Sequence, residues 1–168
     1  MDRDSSTTLK IVPATGHDIP LVLSFIRKLA EYEKLSHQVV ATEELLREEL
    51  FGARRVAEVV IAYLDDEPVG FALYFHNFST FVGRAGIYLE DLFVEPAHRG
   101  KGVGKALLIH IAKLAVERKC GRFEWAVLDW NTPSIDFYRS LGAAPLDDWT
   151  LFRLTGDALN RVAGLASR

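Results

Sequence analysis

Three glycines within five residues, Gly100, Gly102 and Gly104 of "RGKGVGK", separate two runs of different period. Upstream, "AGIYLEDLFV" (Ala85 to Val94) is β-branched and aromatic and predicts a strand. Downstream, Val103, Ala106, Leu107, Ile111, Leu114 and Ala115 fall on one helical face between Gly102 and Lys119, with Gly121 expected as the glycine that ends the helix. A further strand-like run, "RFEWAVLDW" (Arg122 to Trp130), comes next. Strand, glycine loop, helix, strand is the order of a parallel crossover, so the chain must build a sheet with a helix packed across it.

The rest of the chain adds antiparallel structure. "LKIVPA" predicts a first strand from Leu9 to Ala14, and "TGHDIPLVLSFIRKLAEYEK" an amphipathic helix with Thr15 or Asp18 as its cap. "TEELLREEL" predicts a second helix capped by Thr42. "VAEVVIAYL" and "VGFALYFHNF", joined through "DDEP", predict a hairpin. "NTPSIDFYRSLG" predicts a short helix capped by Thr132, with Pro133 at its first position and Gly142 beyond its end. The expected fold class is α/β (α+β), a mixed and mostly antiparallel sheet flanked by helices. With 168 residues and no linker or repeat, one domain spanning 1–168 is expected, with an ordered core of about 9–162.

Two familiar glycine motifs are excluded by spacing. A P-loop needs glycine five residues before its Gly-Lys pair and Ser or Thr after it, but here Arg99 and Ala106 hold those places. A dinucleotide fingerprint spaces its glycines G-x-G-x-x-G within an opening βαβ unit, and this one reads G-x-G-x-G. General physics then decides. Glycines at a helix start let backbone N–H groups approach an anion such as pyrophosphate, helped by the helix dipole and by Arg99, Lys101 and Lys105. A plain strand-to-helix turn is the structural alternative.

Composition narrows the partners. A net charge of −3 and a pI near 6.0 give no electrostatic case for nucleic acid. The single cysteine, Cys120, allows no intramolecular disulfide or thiolate cluster and suits a reducing, cytoplasmic setting. No run reaches the roughly 18 apolar residues of a membrane span, and the polar start lacks the apolar segment of a secretory signal, so no membrane partner is expected. His17, His76, His98 and His110 show no ligand spacing, and no metal is expected.

The glycine stretch also carries a resemblance. Arg99 to Gly104 matches the R/Q-x-x-G-x-G/A motif of the GNAT-type N-acetyltransferases. "AEYEKLSHQV", "YLEDLFV", "RGKGVGK", "DWNTPSIDFY" and "LGA" together resemble the diamine (spermidine/spermine) and thialysine acetyltransferases across nearly the whole chain. The resemblance implies two central parallel strands, Ala85–Val94 and Arg122–Trp130, that splay apart around the pantetheine arm of acetyl-CoA. It implies cosubstrate contacts at Leu92, Phe93 and Val94, at Arg99, Gly100, Lys101, Gly102, Val103, Gly104 and Lys105, and at Asn131, Thr132, Pro133, Ser134 and Tyr138. It also implies a homodimer.

The chemistry requires specific groups. A lysine-like amine has a pKa near ~10.4 and arrives as ammonium, so something must accept its proton. Glu90 resembles the family glutamate in that role, with Asp91 as its support; a solvated carboxylate is the alternative reading of Glu90. Tyr138 in "DFYRS" resembles the family acid for the departing thiolate, its alternative being a packed helix aromatic. A backbone N–H near Leu92 or Phe93 is expected to meet the developing oxyanion. Acceptor contacts in relatives map onto Tyr32, Glu33, Glu90, Glu124 and Trp125. The loop with His37 lacks the carboxylate often found in polyamine enzymes, and "EKLS" and "AVLDWN" resemble the thialysine branch, whose acceptors carry an amino-acid head. The expected function is acetyl transfer from acetyl-CoA to a small primary amine. A protein N-terminal or lysine acetyltransferase and a non-catalytic acetyl-CoA-binding module are the alternatives.

Overall fold

The computed structural model describes residues 8–165. They group into two compact units, divided between Leu128 and Asp129.

The first unit holds five strands in the order β1-β2-β3-β4-β5. They are β1 (Leu9–Pro13), β2 (Glu58–Leu64), β3 (Glu67–Ser79), β4 (Arg84–Val94) and β5 (Phe123–Trp125). The first four pair antiparallel and β5 joins β4 in parallel, as the strand-helix-strand pattern requires. The hairpin turn is tighter than "DDEP" suggests. Asp65 and Asp66 alone make it, at φ of 48° and 69°, the left-handed pair that matches strand twist.

Helices cover both faces. α1 (Ile19–Tyr32) and α2 (Glu43–Phe51) lie on one, and α3 (Val103–Glu117) packs on β4 and β3. Thr15 caps a short 3-10 turn rather than α1 itself, whose N-cap is Asp18, while Thr42 caps α2 by accepting the Leu45 N–H. Between α1 and the sheet lies an aromatic core. Phe25 stacks on Phe71 with ring centres 5.4 Å apart and meets Phe93 at 5.9 Å, and Val22, Leu50, Val59 and Ile61 close around them. Truncating Phe25, 1% exposed, would cost about 3–5 kcal/mol.

Two expectations about this unit are corrected. The strand expected over Arg122–Trp130 has only three residues, because past Trp125 no strand among the described residues pairs with it to hold it extended. Gly121 does not end α3: Lys119 takes the left-handed position, φ 55°. A Cβ on Gly121 would come within 2.7 Å of Val82, so that glycine serves a close approach between loops.

The second unit contains α4 (Thr132–Ser140) and α5 (Gly156–Ala163). The cap of α4 is Asn131, not Thr132: its side chain accepts the Ser134 N–H. This shifts the helix by one residue and leaves Thr132 and Pro133 in its first turn. No reading of the sequence above anticipated α5.

Candidate active site

The site is built where two neighbouring strands part. β4 and β5 are in register at Ile87 with Phe123, Tyr88 with Glu124 and Leu89 with Trp125, and there the ladder stops. β4 runs on to Val94, still paired with β3 on its other side. Among the described residues, no strand pairs with the outer edge of β4 from Glu90 to Val94.

A bulge falls at the same place. Tyr74 stands opposite Leu89 and Leu73 opposite Asp91, so Glu90 is an extra residue without a counterpart. Directly paired residues share a face of the sheet. Leu73 belongs to the core beneath α1, hence Asp91 lies on the α1 face; without the bulge it would follow Leu89 to the α3 face. The bulge also selects which amides face outward. Glu95 N–H bonds to Val69 on β3, and by alternation Phe93 points the same way, leaving Leu92 N–H on the open edge. Of the two candidates for oxyanion donor, only Leu92 has that direction.

The two adjacent carboxylates therefore sit in different surroundings. Glu90 is exposed, whereas Asp91 is half-buried. Burial, then the charges of Glu90 and Glu33, push Asp91 up to about 7. Glu33, the residue that closes α1, is itself raised by burial. A carboxyl that titrates near neutrality is suited to accept a proton and release it. The sequence marked Glu90 for this work and assigned Asp91 a supporting place; the parity change in "IYLEDLFV", apolar at Ile87 and Leu89 and again at Leu92, was the signal for the bulge.

Arg99 lies between the end of α1 and the end of β4. Its guanidinium lies 4.5 Å from the Tyr32 ring centre and 5.6 Å from that of Phe93, and its Nε donates to the Val94 carbonyl at 3.0 Å. With the Lys28–Glu95 ion pair it ties α1 to the end of β4. Lys101 and Lys105 stand exposed.

The start of α3 fits a pyrophosphate-bearing group. Gly102 is its N-cap at φ 83°, no side chain caps the helix, and nothing lies within 4 Å of where a Cβ on Gly100 or Gly102 would stand. Open backbone N–H groups at a long helix's positive end are what a pyrophosphate needs. Gly104 is not in a strained conformation; a Cβ there would only touch Val94 at 3.6 Å. Val103 is buried and its backbone alone is available.

Of the expected acceptor residues, Tyr32 and Glu33 close α1 and Glu124 stands level with Tyr88 on the Asp91 face. Trp125, paired with Leu89, faces the side of the sheet opposite to Glu124 and packs against Phe123 with ring centres 4.9 Å apart. Neighbours on one strand cannot both line one face. His37 lies exposed in a 3-10 turn, Ser36–Gln38. In the second unit, Asn131 is buried at the head of α4 and Tyr138 lies on that helix, its ring 5.5 Å from Phe137. Among the described residues no cluster of His, Cys, Asp or Glu could hold a metal ion, and no helix is long and apolar enough to cross a membrane.

A mixed sheet that opens beside a bulged strand, with an uncapped glycine-led helix after it, defines an acyl-transferase architecture. The chain belongs to the acetyltransferase (GNAT) family, whose sequence profile matches residues 26–143, and it is accordingly an N-acetyltransferase. It is 41% identical over 154 residues to the thialysine N-epsilon-acetyltransferase of Sus scrofa, covering 85% of this chain and 90% of that one. It is 33% identical to the L-ornithine N5-acetyltransferase of Arabidopsis thaliana, covering 89% and 85%. Among solved structures, an integron cassette protein from the V. cholerae mobile metagenome superposes with a TM-score of 0.78 at 30% identity, covering 94% of this chain and 98% of that one.

Proposed function

We propose that this protein transfers the acetyl group of acetyl-CoA to a primary amine of a small molecule with a lysine-like or diamine arm. The observation that carries the reading is the opening of the sheet at Leu89, with bulged Glu90 and half-buried Asp91 on its margin. Bound acetyl-CoA would supply an activated thioester; everything else falls to the chain. The α3 N-terminus, with Gly100 to Lys105, holds the pyrophosphate, and the open edge at Leu92 to Val94 holds the extended arm. Leu92 N–H donates to the acyl oxygen. Asp91 accepts the ammonium proton at its carboxylate, and exposed Glu90 passes it to water. Tyr138, by its place in "DFYRS", donates its phenolic proton to the leaving sulfur, and Asn131 to Ser134 complete the cosubstrate contacts. Tyr32, Glu33 and Glu124 contact the acceptor.

The names of the relatives support amino-acid acceptors such as thialysine and ornithine. Each ammonium of a longer polyamine taken from water would need its own carboxylate. The same reading makes the enzyme a cytoplasmic homodimer without metal, nucleic-acid or membrane partners.

Thiol release from acetyl-CoA, followed over thialysine, ornithine, putrescine, spermine and a peptide with a free N-terminus, tests the proposal. Turnover with small amines above all other acceptors is expected. Acetyl-CoA binding without thiol release on any amine, or turnover on the peptide alone, would overturn it.

A further inference from the structure

We infer that Arg122 and Glu124 form a zwitterionic clamp for the α-carboxylate and α-ammonium of an amino-acid acceptor. The inference rests on the acetyl-transfer reading and adds to it a recognition site for the acceptor's head.

The pair is held in a particular way. Asn77 Nδ2 donates to Glu124 Oε2 at 2.8 Å, and Arg122 Nε stands 2.9 Å from the same oxygen. The Arg122 N–H is not aimed at that oxygen, so the contact is a charge pair rather than a hydrogen bond. Arg122 Nη2 donates to the Phe78 carbonyl at 3.2 Å. Asn77 and Arg122 both meet Glu124 at Oε2, and among the described residues neither Glu124 Oε1 nor Arg122 Nη1 has a hydrogen-bond partner. The side chains are 37% and 27% exposed, so these two atoms can be reached from solvent. An acceptor oxygen beside a donor nitrogen, each anchored and each with one valence open, complements a carboxylate beside an ammonium.

Position along the sheet links this pair to Asp91. Arg122 and Glu124 alternate along the chain and share a face, and Glu124 is level with Tyr88, which is level with Phe75. Phe75 lies two residues from Leu73, so all of them share the α1 face with Asp91. Phe75 and Tyr88 pack with ring centres 5.2 Å apart between the two polar ends. Tyr88 and Asp91 are three residues apart with the bulge between them, a separation of about 7–10 Å at strand rise. That suits a three- or four-atom aliphatic arm laid over an aromatic floor, its amine at Asp91 and its head at the clamp. A diamine of the same length brings ammonium to a place where Arg122 opposes it. His37 takes no part in this match.

The test compares thialysine and ornithine with putrescine and with thialysine methyl ester, in which the carboxylate is masked. On the wild-type enzyme the ester should lose about tenfold or more in kcat/KM against thialysine, mainly through KM, as expected for a lost charge-assisted pair. In Arg122→Met the ratio of kcat/KM for ornithine to that for putrescine should fall by about tenfold, and in Glu124→Gln thialysine should lose its preference over an Nα-acetylated analogue. An ester that performs as well as thialysine on the wild type overturns the clamp, whatever the variants do. So does an unchanged ratio in folded Arg122→Met. Wild-type enzyme that acetylates none of these amines refutes the underlying acetyl-transfer reading instead.

Discussion

Asp91 stands directly opposite Leu73 in the β3–β4 ladder, which brings a carboxylate to the face of the sheet that carries Phe71 and Phe93 beneath Phe25 of α1. Its pKa, raised to about 7, means that the folded protein holds this proton more tightly than the unfolded chain does. Stability therefore falls as pH rises from about 4 to about 7 and stays lower above that. Asp91→Asn should stabilise the fold at pH 8 by up to a few kcal/mol, show no gain at pH 4, and lower kcat by about 10²-fold or more. Urea melts at both pH values, set beside the rate, check this; a variant destabilised at pH 8 would show that the carboxylate is held by favourable contacts.

Gly102 and Gly104 should separate under substitution. Gly102→Val forces a branched residue to φ 83° and is expected to cost about 1–2 kcal/mol of stability. Gly104→Val meets only an ordinary contact with Val94 and should fold normally, yet weaken acetyl-CoA binding by at least about tenfold, since its side chain projects where the pyrophosphate is proposed to lie. Calorimetric titration of the folded variants decides, and unchanged affinity in Gly104→Val removes the phosphate from the α3 start.

Tyr138→Phe removes one hydroxyl from α4. A loss of about 10²–10⁴-fold in kcat with little change in acetyl-CoA affinity is expected of a proton donor. Steady-state rates across pH, paired with direct binding, separate this from packing, which would leave turnover unchanged.

At the far end of α3, Arg118 clamps Glu58 with two hydrogen bonds, of 2.5 and 2.8 Å, and lies 5.9 Å from the Tyr74 ring centre. Chiefly through that bonding, Glu58 titrates below the usual carboxylate range, while burial pushes Tyr74 up to about 12. The contribution is present above about pH 4.5 and disappears as pH falls through the lowered pKa of Glu58. Because both partners are partly exposed, Arg118→Met should cost about 1 kcal/mol at pH 7 and less at pH 3. Chemical denaturation at the two pH values reads the difference.

Local pattern made much of this fold legible. The hairpin, the glycine-led helix and the parallel crossover follow from periodicity and punctuation within single segments. What escaped depends on pairing between segments. "RFEWAVLDW" has strand composition throughout, but only Phe123 to Trp125 has a neighbour to bond to, so composition overstated the strand. Glu90 and Asp91 look interchangeable until the register shows which one the bulge turns toward α1. The contacts of Arg99 with Tyr32 and Val94 carried no signal either, since both partners are distant or unremarkable in sequence. Phe75 and Arg122 carried no motif, and Tyr88, though it opens "YLEDLFV", was given no role; only the cross-strand register gathers them on one face. α5 had an available signal in Thr155 and Asp157 ahead of Ala158, Leu159 and Val162, but Gly156 and Gly164 at its ends read as loop.

The unfinished ladder beyond Leu89 has a second side. A run of outward-facing amides and carbonyls on an extended strand is a template on which any stray extended chain can add itself, the usual first step of sheet-to-sheet aggregation. A ligand that occupies this edge would also shield it. Preparations held without acetyl-CoA should therefore be the more prone to self-association, and cosubstrate added during refolding or storage should act as a solubiliser at this one strand as well as a reactant.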